Sequence, residues 1–207
     1  MSKPSVILVG AGGHCHACID VIESQGRYQI AGLIGSADEL HSQHLGYTVM
    51  GTDADLPQLA ESGKFILIAV GQIQSPEIRI RLFQQACRLG FQWPVIIAPT
   101  AYVSRHAHIG AGSIILHGAI VNAGASVGQN CIVNSRALIE HDATVADHCH
   151  ISTGAILNGH VRIGSGSFVG SASVVKEGIA VGNRCFIGMG LAVRHSLPDQ
   201  SQYFGQQ

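Results

Sequence analysis

The stretch ISTGAILNGHVRIGSGSFVG, residues 151–170, carries an aliphatic residue at every sixth position, with glycine and other small residues between them. At the same spacing the aliphatic series runs in both directions without a gap. Its members are Ile97, Val103, Ile109, Ile115, Val121, Val127, Val133, Ile139, Val145, Ile151, Leu157, Ile163, Val169, Val175, Val181, Ile187 and Val193. A six-residue repeat is typical of a parallel β-helix, in which stacked coils bury the repeated side chain. The sequence therefore predicts an all-β parallel β-helix.

A different pattern fills residues 4 to about 92, where short apolar runs alternate with helix-like segments. We expect strands over residues 6–9, 29–34 and 64–70, and helices over residues 14–25 and 76–89, the second capped by Ser75. Strands that alternate with helices favour a small parallel sheet. We therefore predict a Rossmann-like α/β domain over residues 1–94 and the β-helix domain over residues 95–207.

The composition excludes several classes of protein. Hydrophobic residues make up 46% of the chain, charged residues only 12%, and the net charge is −1, so no basic field favours nucleic acid as a partner. No apolar run is long enough to cross a membrane, and the first residues lack the apolar core of a signal peptide. We expect a cytoplasmic protein without membrane insertion, whose six cysteines are reduced thiols rather than a disulfide framework.

A glycine-rich turn, residues 10–13, follows the first predicted strand and precedes a helix. Such a turn exposes backbone N–H groups at a helix N-terminus, which suits a phosphate or another anion. The turn is not a complete dinucleotide motif, because Cys15 replaces the third glycine and Gly35-Ser36 stands where a ribose-binding acid is expected. NAD is therefore disfavoured. Binding of a nucleotide or nucleotide sugar, and a tight turn without a ligand, both remain open.

The repeat resembles that of the hexapeptide-repeat transferases, whose left-handed coils contain three hexads each and which assemble as trimers. With three hexads to a coil, residues 18 apart lie on neighbouring strands about 4.8 Å apart. This spacing places Cys131, Cys149 and Cys185 in one inward corner column with Ser167. We expect these thiols to be packing residues.

The same spacing draws attention to His141, which is the third residue of its hexad and should point outward. Its neighbours in the column are Ala123 and Gly159, which leave room around the imidazole, as a base that admits two substrates requires. A carboxylate on one ring nitrogen would fix the tautomer and leave the other nitrogen free to accept a proton. Asp142 is the natural partner if the backbone turns a corner there, and Glu140 is the rival.

Five segments together resemble the sialic acid O-acetyltransferase family of bacterial sugar acyltransferases. They are GAGGH at 10–14, IAVG at 68–71, NSRALIEHD at 134–142, residues 151–170, and FIGMG at 186–190. The family includes the acetyltransferases that N-acetylate nucleotide-linked 4-amino sugars, among them those for bacillosamine and perosamine. The resemblance covers nearly the whole chain.

The resemblance implies a role for each matching residue. His141 matches the general base, and Asp142 matches the acid that raises its basicity. The acetyl-CoA groove between subunits of a homotrimer would be lined by His150, Ser171 and Met189. The nucleotide part of the substrate would be held by Gly12, Gly13, His14 and Gly71. No metal is expected. The chain departs from the family at Gly35-Ser36, where many members carry two acids that contact the nucleotide, and at residues 196–207, which lack a G-x-P-A-K ending.

We weigh two related functions. The first is acetyl-CoA-dependent N-acetylation of the 4-amino group of a nucleotide-linked amino-deoxysugar, for surface glycan or polysaccharide synthesis. Transfer is expected to be direct, because no cysteine lies on the outer face of the hexad that holds His141. The alternative is O-acetylation of sialic acid or a related nonulosonate, which the loss of acids at Gly35-Ser36 favours.

Two readings from other classes have less support. A zinc-dependent β-helix hydratase of the carbonic anhydrase type uses two histidines in an H-x4-H spacing, and none of the 12 histidines here are so spaced. A purely structural β-helix would leave the outward His141 and the glycine turn without a purpose.

Overall fold

The computed structural model describes residues 3–61 and 65–204 and contains an α/β part followed by a left-handed parallel β-helix, so the predicted fold class is confirmed. The α/β part contains β1 (Ser5–Val9), α1 (Gly13–Gln25), β2 (Gln29–Ile34), a 3-10 turn (Ala37–Glu39), β3 (Gln43–His44), β4 (Tyr47–Gly51), a 3-10 turn (Asp53–Asp55), α2 (Leu56–Ala60), β5 (Phe65–Ile68) and α3 (Glu77–Arg88). None of these helices is long and apolar enough to cross a membrane, within the residues described.

The sheet of the α/β part has the order β3-β4-β2-β1-β5 and is parallel except for the β3–β4 pair. Alternate side chains of β1 face opposite layers: Val6 and Leu8 pack with α1, whereas Ile7 and Val9 pack with α3. The predicted helices are correct to within a residue. The predicted strand over 64–70 is shorter, and Lys64 lies outside the described residues. Strands β3 and β4 and helix α2 were not predicted.

The β-helix consists of two-residue strands joined by tight turns. They are β6 (Ile96–Ile97), β7 (Tyr102–Val103), β8 (His108–Ile109), β9 (Ile114–Ile115), β10 (Ile120–Val121), β11 (Ser126–Val127), β12 (Ile132–Val133), β13 (Leu138–Ile139), β14 (Thr144–Val145), β15 (His150–Ile151), β16 (Ile156–Leu157), β17 (Arg162–Ile163), β18 (Phe168–Val169), β19 (Val174–Val175), β20 (Ala180–Val181), β21 (Phe186–Ile187), β22 (Ala192–Val193) and β23 (Gln202–Tyr203). Every aliphatic of the six-residue series is the second residue of one of these strands.

Stacking of equivalent strands gives the prism three faces. The covered face contains β6, β9, β12, β15, β18, β21 and β23; the apolar face contains β7, β10, β13, β16, β19 and β22; the polar face contains β8, β11, β14, β17 and β20. Paired residues from β6 to β22 are 18 apart throughout, as in Val121↔Ile139 and Ile139↔Leu157, so the predicted uninterrupted register is confirmed. We name each edge of the prism by the two faces that it joins.

The inward corner column is as predicted. Cys131, Cys149 and Ser167 have no exposed surface and Cys185 has 2%, and all lie against the aliphatic core. Cys15 and Cys18 are likewise buried on α1, where burial raises the pKa of the Cys15 thiol to about 12. These thiols are therefore packing residues.

The α/β part packs on the covered face. Ile96, Ile114 and Ile132 are the outward residues of β6, β9 and β12, and all three are fully buried against the apolar side of α1. At the neighbouring polar–covered edge, the rings of Trp93 and Phe83 lie 4.2 Å apart, above Gly112. Apolar contacts thus make the two parts one packed unit.

A buried guanidinium also joins the two parts. Arg79 of α3 is 1% exposed and donates to the carbonyl oxygens of Ile68 and Val70 at 2.8 and 2.6 Å. It also donates to the backbone and side-chain oxygens of Asn130 on the β-helix at 2.9 and 2.7 Å. Within the described residues, Arg79 has no carboxylate partner. Its charge is therefore balanced by the dipoles of these oxygen atoms.

We expect Arg79→Met to lower the free energy of unfolding by about 3–5 kcal/mol, because the change leaves several buried carbonyl oxygens without donors. Urea unfolding followed by circular dichroism measures the change. Arg81→Met is the matched control: Arg81 lies two residues along the same helix in an exposed ion pair with Asp53, so its loss should cost at most about 1 kcal/mol. Equal effects in the two variants would contradict the bridging role of Arg79.

Candidate active site

His141 and Asp142 lie in the turn between β13 and β14, on the apolar–polar edge. Asp142 has a φ of +59°, which is a left-handed conformation, and this corner brings its side chain to the same side of the chain as its neighbour. His141 Nδ1 lies 3.0 Å from Asp142 Oδ2, with the two side chains 58% and 52% exposed. The corner that the pairing requires is therefore present.

Glu140 is committed elsewhere. Its Oε2 accepts a hydrogen bond from Asn122 Nδ2 at 2.9 Å and from the backbone N–H of His141 at 3.2 Å. It therefore braces the backbone below the imidazole but does not contact the ring. Asp142 is the carboxylate that pairs with the ring of His141.

Two glycines make room for this pair. A Cβ atom on Gly159 would lie 2.7 Å from the His141 ring, and one on Gly124 would collide with the Asp142 carboxylate. The imidazole therefore lies over the backbone of the next coil. Gly159 was predicted to leave open space beside His141, but the ring of His141 itself occupies that space.

A cavity of about 1010 Å³ lies between the α/β part and the covered face. Its walls are the turns that follow β1, β2, β4 and β5, residues of α1 and α3, and two residues of the β-helix. The lining includes Gly10, Ala11, Gly12, Gly13, His14, Gly35, Ser36, Glu39, Thr52, Asp53, Gly71, Gln72, Ile78, Arg81, Asn134 and His150. All four residues predicted to hold a nucleotide, Gly12, Gly13, His14 and Gly71, are among them.

The N-terminus of α1 opens into this cavity. Gly12 is its N-cap, no side chain caps the helix, and no acid lies in its first turn. A Cβ on Gly12 or Gly13 would meet no atom within 4 Å, so the space in front of the helix is open. Free N–H groups and the helix dipole make this end a site for an anion such as a phosphate.

Two histidines of the cavity are held neutral. Burial is the main reason that the pKa of His14 falls to about 3 and that of His150 to about 4, and the positive charge of Arg79 contributes to both shifts. His150 Nδ1 donates to the carbonyl oxygen of Gln72 at 2.6 Å, and its Nε2 accepts from the side-chain amide of Asn134 at 3.1 Å. These bonds fix the tautomer of His150 and tie the cavity wall to the β-helix.

Glu39 was missed by the sequence interpretation. Its Oε2 accepts from the backbone N–H and the hydroxyl of Ser36 at 2.9 and 2.7 Å, which lowers its pKa. A Cβ on Gly35 would lie 2.9 Å from this oxygen. The Glu39 carboxylate therefore lies at the end of β2, where many family members carry two acids that this chain lacks. The S-x-x-E spacing of a capping box, directly after a strand, was the signal that could have revealed it.

The residues predicted to line an acetyl-CoA groove are not all together. Ser171 and Met189 are 18 apart on the covered–apolar edge, where the Ser171 hydroxyl lies 2.9 Å from that of Ser152 and Met189 is 80% exposed. His150 instead lies inside the cavity at 6% exposure. His141 stands on the apolar–polar edge, away from all three. Their roles toward the cofactor stay predictions.

Within a single copy of the chain, His141 lies far from the cavity. The cavity reaches the β-helix on the covered face and at Asn134, whereas the apolar–polar edge is the edge opposite that face. Six residues a side at about 3.3 Å per residue make each face roughly 15–20 Å wide. The anion site and the imidazole are therefore separated by about the width of the prism.

One three-residue group among residues 3–61 and 65–204 has the composition of a metal site: His141, Asp142 and His160, with their ligand atoms within 4.8 Å of one another. It lacks the third histidine and the H-x4-H spacing of the zinc hydratases, so that reading gains no support.

Comparison with known proteins finds relatives of both parts. A family model described as the PglD N-terminal domain matches residues 5–86, and one described as the hexapeptide repeat of succinyl-transferase matches residues 160–194. No curated protein sequence matches the chain.

Solved structures match nearly the whole chain. The acetyltransferase domain of PglB from Neisseria gonorrhoeae, in complex with acetyl coenzyme A, is 32% identical, with 96% of this chain and 95% of that chain covered and a TM-score of 0.88. PerB from Caulobacter crescentus, in complex with CoA and GDP-perosamine, is 30% identical, with 96% and 92% covered and a TM-score of 0.88. A histidine variant of perosamine N-acetyltransferase from the same organism, with the same two ligands, is 29% identical, with 96% and 92% covered and a TM-score of 0.89.

The two neutral histidines predict acid sensitivity. Their native pKa values lie below the ordinary value of 6.5, so the unfolded chain binds protons that the native chain does not, and stability should fall as the pH drops from about 7 towards 4. We expect an uptake of roughly two protons on unfolding near pH 5 from this pair, measured as the slope of the unfolding free energy against pH. His150→Gln should reduce the proton uptake obtained from that slope by about one proton. The exposed His195→Gln should not change it, and a slope unchanged by His150→Gln would contradict the assignment.

Proposed function

Because the chain belongs to the hexapeptide-repeat acetyltransferases that carry an N-terminal PglD domain, we propose that it transfers the acetyl group of acetyl-CoA to the amino group of a nucleotide-linked amino sugar. The observation that carries the proposal is the cavity of about 1010 Å³, which has an anion site at the N-terminus of α1 and a carboxylate, Glu39, at the end of β2. A nucleotide sugar needs both: donors for its pyrophosphate and an acceptor for its ribose hydroxyls.

The relatives support the same substrates. The Caulobacter structures hold CoA together with GDP-perosamine, and the Neisseria domain holds acetyl coenzyme A. We propose the 4-amino group of the sugar as the acceptor and synthesis of a surface glycan or polysaccharide as the setting. The position of Glu39 removes the main argument for a free sialic acid, which was the apparent loss of acids at Gly35-Ser36.

We assign the proton transfer to His141. With Nδ1 donating to Asp142, Nε2 of the neutral ring is an acceptor. As the sugar nitrogen attacks the thioester carbonyl, Nε2 takes a proton from that nitrogen, and a backbone N–H would hold the developing oxyanion. The C–S bond then breaks, the amide C–N bond remains, and the imidazolium returns its proton to the leaving CoA thiolate. Asp142 stabilises the imidazolium meanwhile.

We propose that a second copy of the chain completes the site, because the cavity and the imidazole are separated within one chain. The outward residues of the apolar face form a partly exposed column in which Tyr102 and Ile120 are 58% and 39% exposed and Leu138, Ile156 and Val174 follow. If three copies pack through this face around an axis, the covered–apolar edge of one copy meets the apolar–polar edge of the next. The cavity, Ser171 and Met189 of one copy would then face His141 of its neighbour, as a homotrimer with intersubunit sites requires.

The central test is acetyl transfer to a panel of nucleotide-linked amino sugars, measured as release of the CoA thiol. We expect His141→Asn to lower kcat by about 10²–10⁴-fold with little change in KM for the sugar nucleotide, because the ring acts on a proton rather than in binding. His195→Asn is the matched control, since His195 follows Val193, three coils beyond Ile139, by the same two residues as His141 follows Ile139. Near wild-type kcat in His141→Asn would refute the base assignment, and acetylation of free sialic acid alone would favour the O-acetyltransferase.

The assembly makes a separate prediction. Ile120→Glu should abolish both the trimer and the transfer, because a carboxylate in the apolar column cannot be buried unpaired. Thr144→Glu places the same group on the polar face and should preserve both. Light scattering during size-exclusion chromatography measures the mass of the assembly in each variant. A wild-type chain that is fully active as a monomer would contradict the intersubunit site.

A further inference from the structure

His160 stands beside the proposed catalytic pair and takes no part in it. It lies one coil beyond Asp142 at the same corner position, since residues 18 apart are neighbours on this edge, and its φ of +58° matches that of Asp142. Its backbone N–H donates to the carbonyl oxygen of His141 at 3.1 Å, so the stacking of the two coils fixes the position of His160 along the prism axis. His160 Nε2 lies 3.8 Å from Asp142 Oδ2, and its ring stands edge-on to that of His141 with centroids 5.3 Å apart.

These three side chains present the atoms that a zinc ion prefers. Zinc binds imidazole nitrogen and carboxylate oxygen at about 2.0–2.2 Å, so ligand atoms of a tetrahedral site lie roughly 3.4 Å apart. The two separations from Asp142 Oδ2, 3.0 Å to His141 Nδ1 and 3.8 Å to His160 Nε2, lie on either side of that value. All three ligand atoms are within 4.8 Å of one another, and the exposed rings can turn to close the remaining gap.

We infer that His141, Asp142 and His160 form a divalent-metal site suited to zinc, and that zinc bound there switches the base off. Three protein ligands leave the fourth position of the metal to water. Zinc takes the lone pair of His141 Nδ1, and the proton that Nδ1 carried moves to Nε2. The atom that should accept a proton from the sugar amine then carries one, so the ring no longer acts as a base.

The site is suited to inhibition rather than to a resident metal. In the single chain the side chains of His141, Asp142 and His160 are 58%, 52% and 66% exposed, so an ion reaches them there without any movement of the fold. The transfer reaction itself needs no metal. Zinc binding is independent of the proposed function, and only the loss of activity depends on it.

Equilibrium dialysis of the full chain against buffered zinc, without CoA because its thiol also binds zinc, tests the site directly. We expect the wild-type protein and His195→Asn to bind one more zinc ion per chain than His160→Asn does. In the transfer assay His160→Asn should keep near wild-type activity without metal and lose most of the zinc inhibition, which a chelator should reverse in the wild type.

Equal zinc binding by wild type and His160→Asn would overturn the site. So would zinc inhibition of equal strength in the two proteins, because it would place the inhibitory ion elsewhere. If the wild-type chain transfers no acetyl group at all, the proposed function fails, and the dialysis still decides whether the metal site exists.

Discussion

A single coil of this β-helix has no core of its own, because its inward aliphatic side chains are buried only by the coils on either side. Ile139 is covered by Val121 and Leu157, which pair with it in unbroken register. Because the coils must stack in this register, the position of every corner residue along the axis of the prism is fixed. His141, Asp142 and His160 are therefore placed by the stacking of the core, although none of them belongs to it. A rigid scaffold of this kind is what a site that must hold an imidazole within a few tenths of an ångström needs.

Charge distribution gives the cavity its character. Arg79 is buried with its charge satisfied by carbonyl oxygens, and it lies close enough to lower the pKa values of His14 and His150. The helix N-terminus adds a partial positive charge at the same end. A neutral-to-positive wall that carries fixed hydrogen-bond donors suits an anion better than a cation. The acid Glu39 lies at the end of β2, where hydroxyl groups rather than phosphates would need an acceptor.

Much of this architecture could be predicted from the sequence, because the six-residue repeat determines which residues point inward and which residues are neighbours on adjacent coils. The inward strand residues and the corner thiols follow from counting in sixes, and His141 was found because its column neighbours are small. The choice between Asp142 and Glu140 could not be made that way, because it depends on a left-handed backbone corner that no alternation rule predicts. Strand β4 was missed because Val49 is the one buried side chain among its apolar residues, and Glu39 because its carboxylate folds back over Gly35. The position of His150 inside the cavity depends on how the α/β part docks, which local pattern does not encode.

Trp93 is the single tryptophan of the chain, and it lies where the two parts meet, packed against Phe83. Intrinsic indole fluorescence therefore reports on this junction and on nowhere else in the molecule. A shift in its emission without loss of the β-helix signal would mean that the α/β part has lifted off the covered face while the prism stays intact. The protein thus carries an internal optical probe for docking of its two parts.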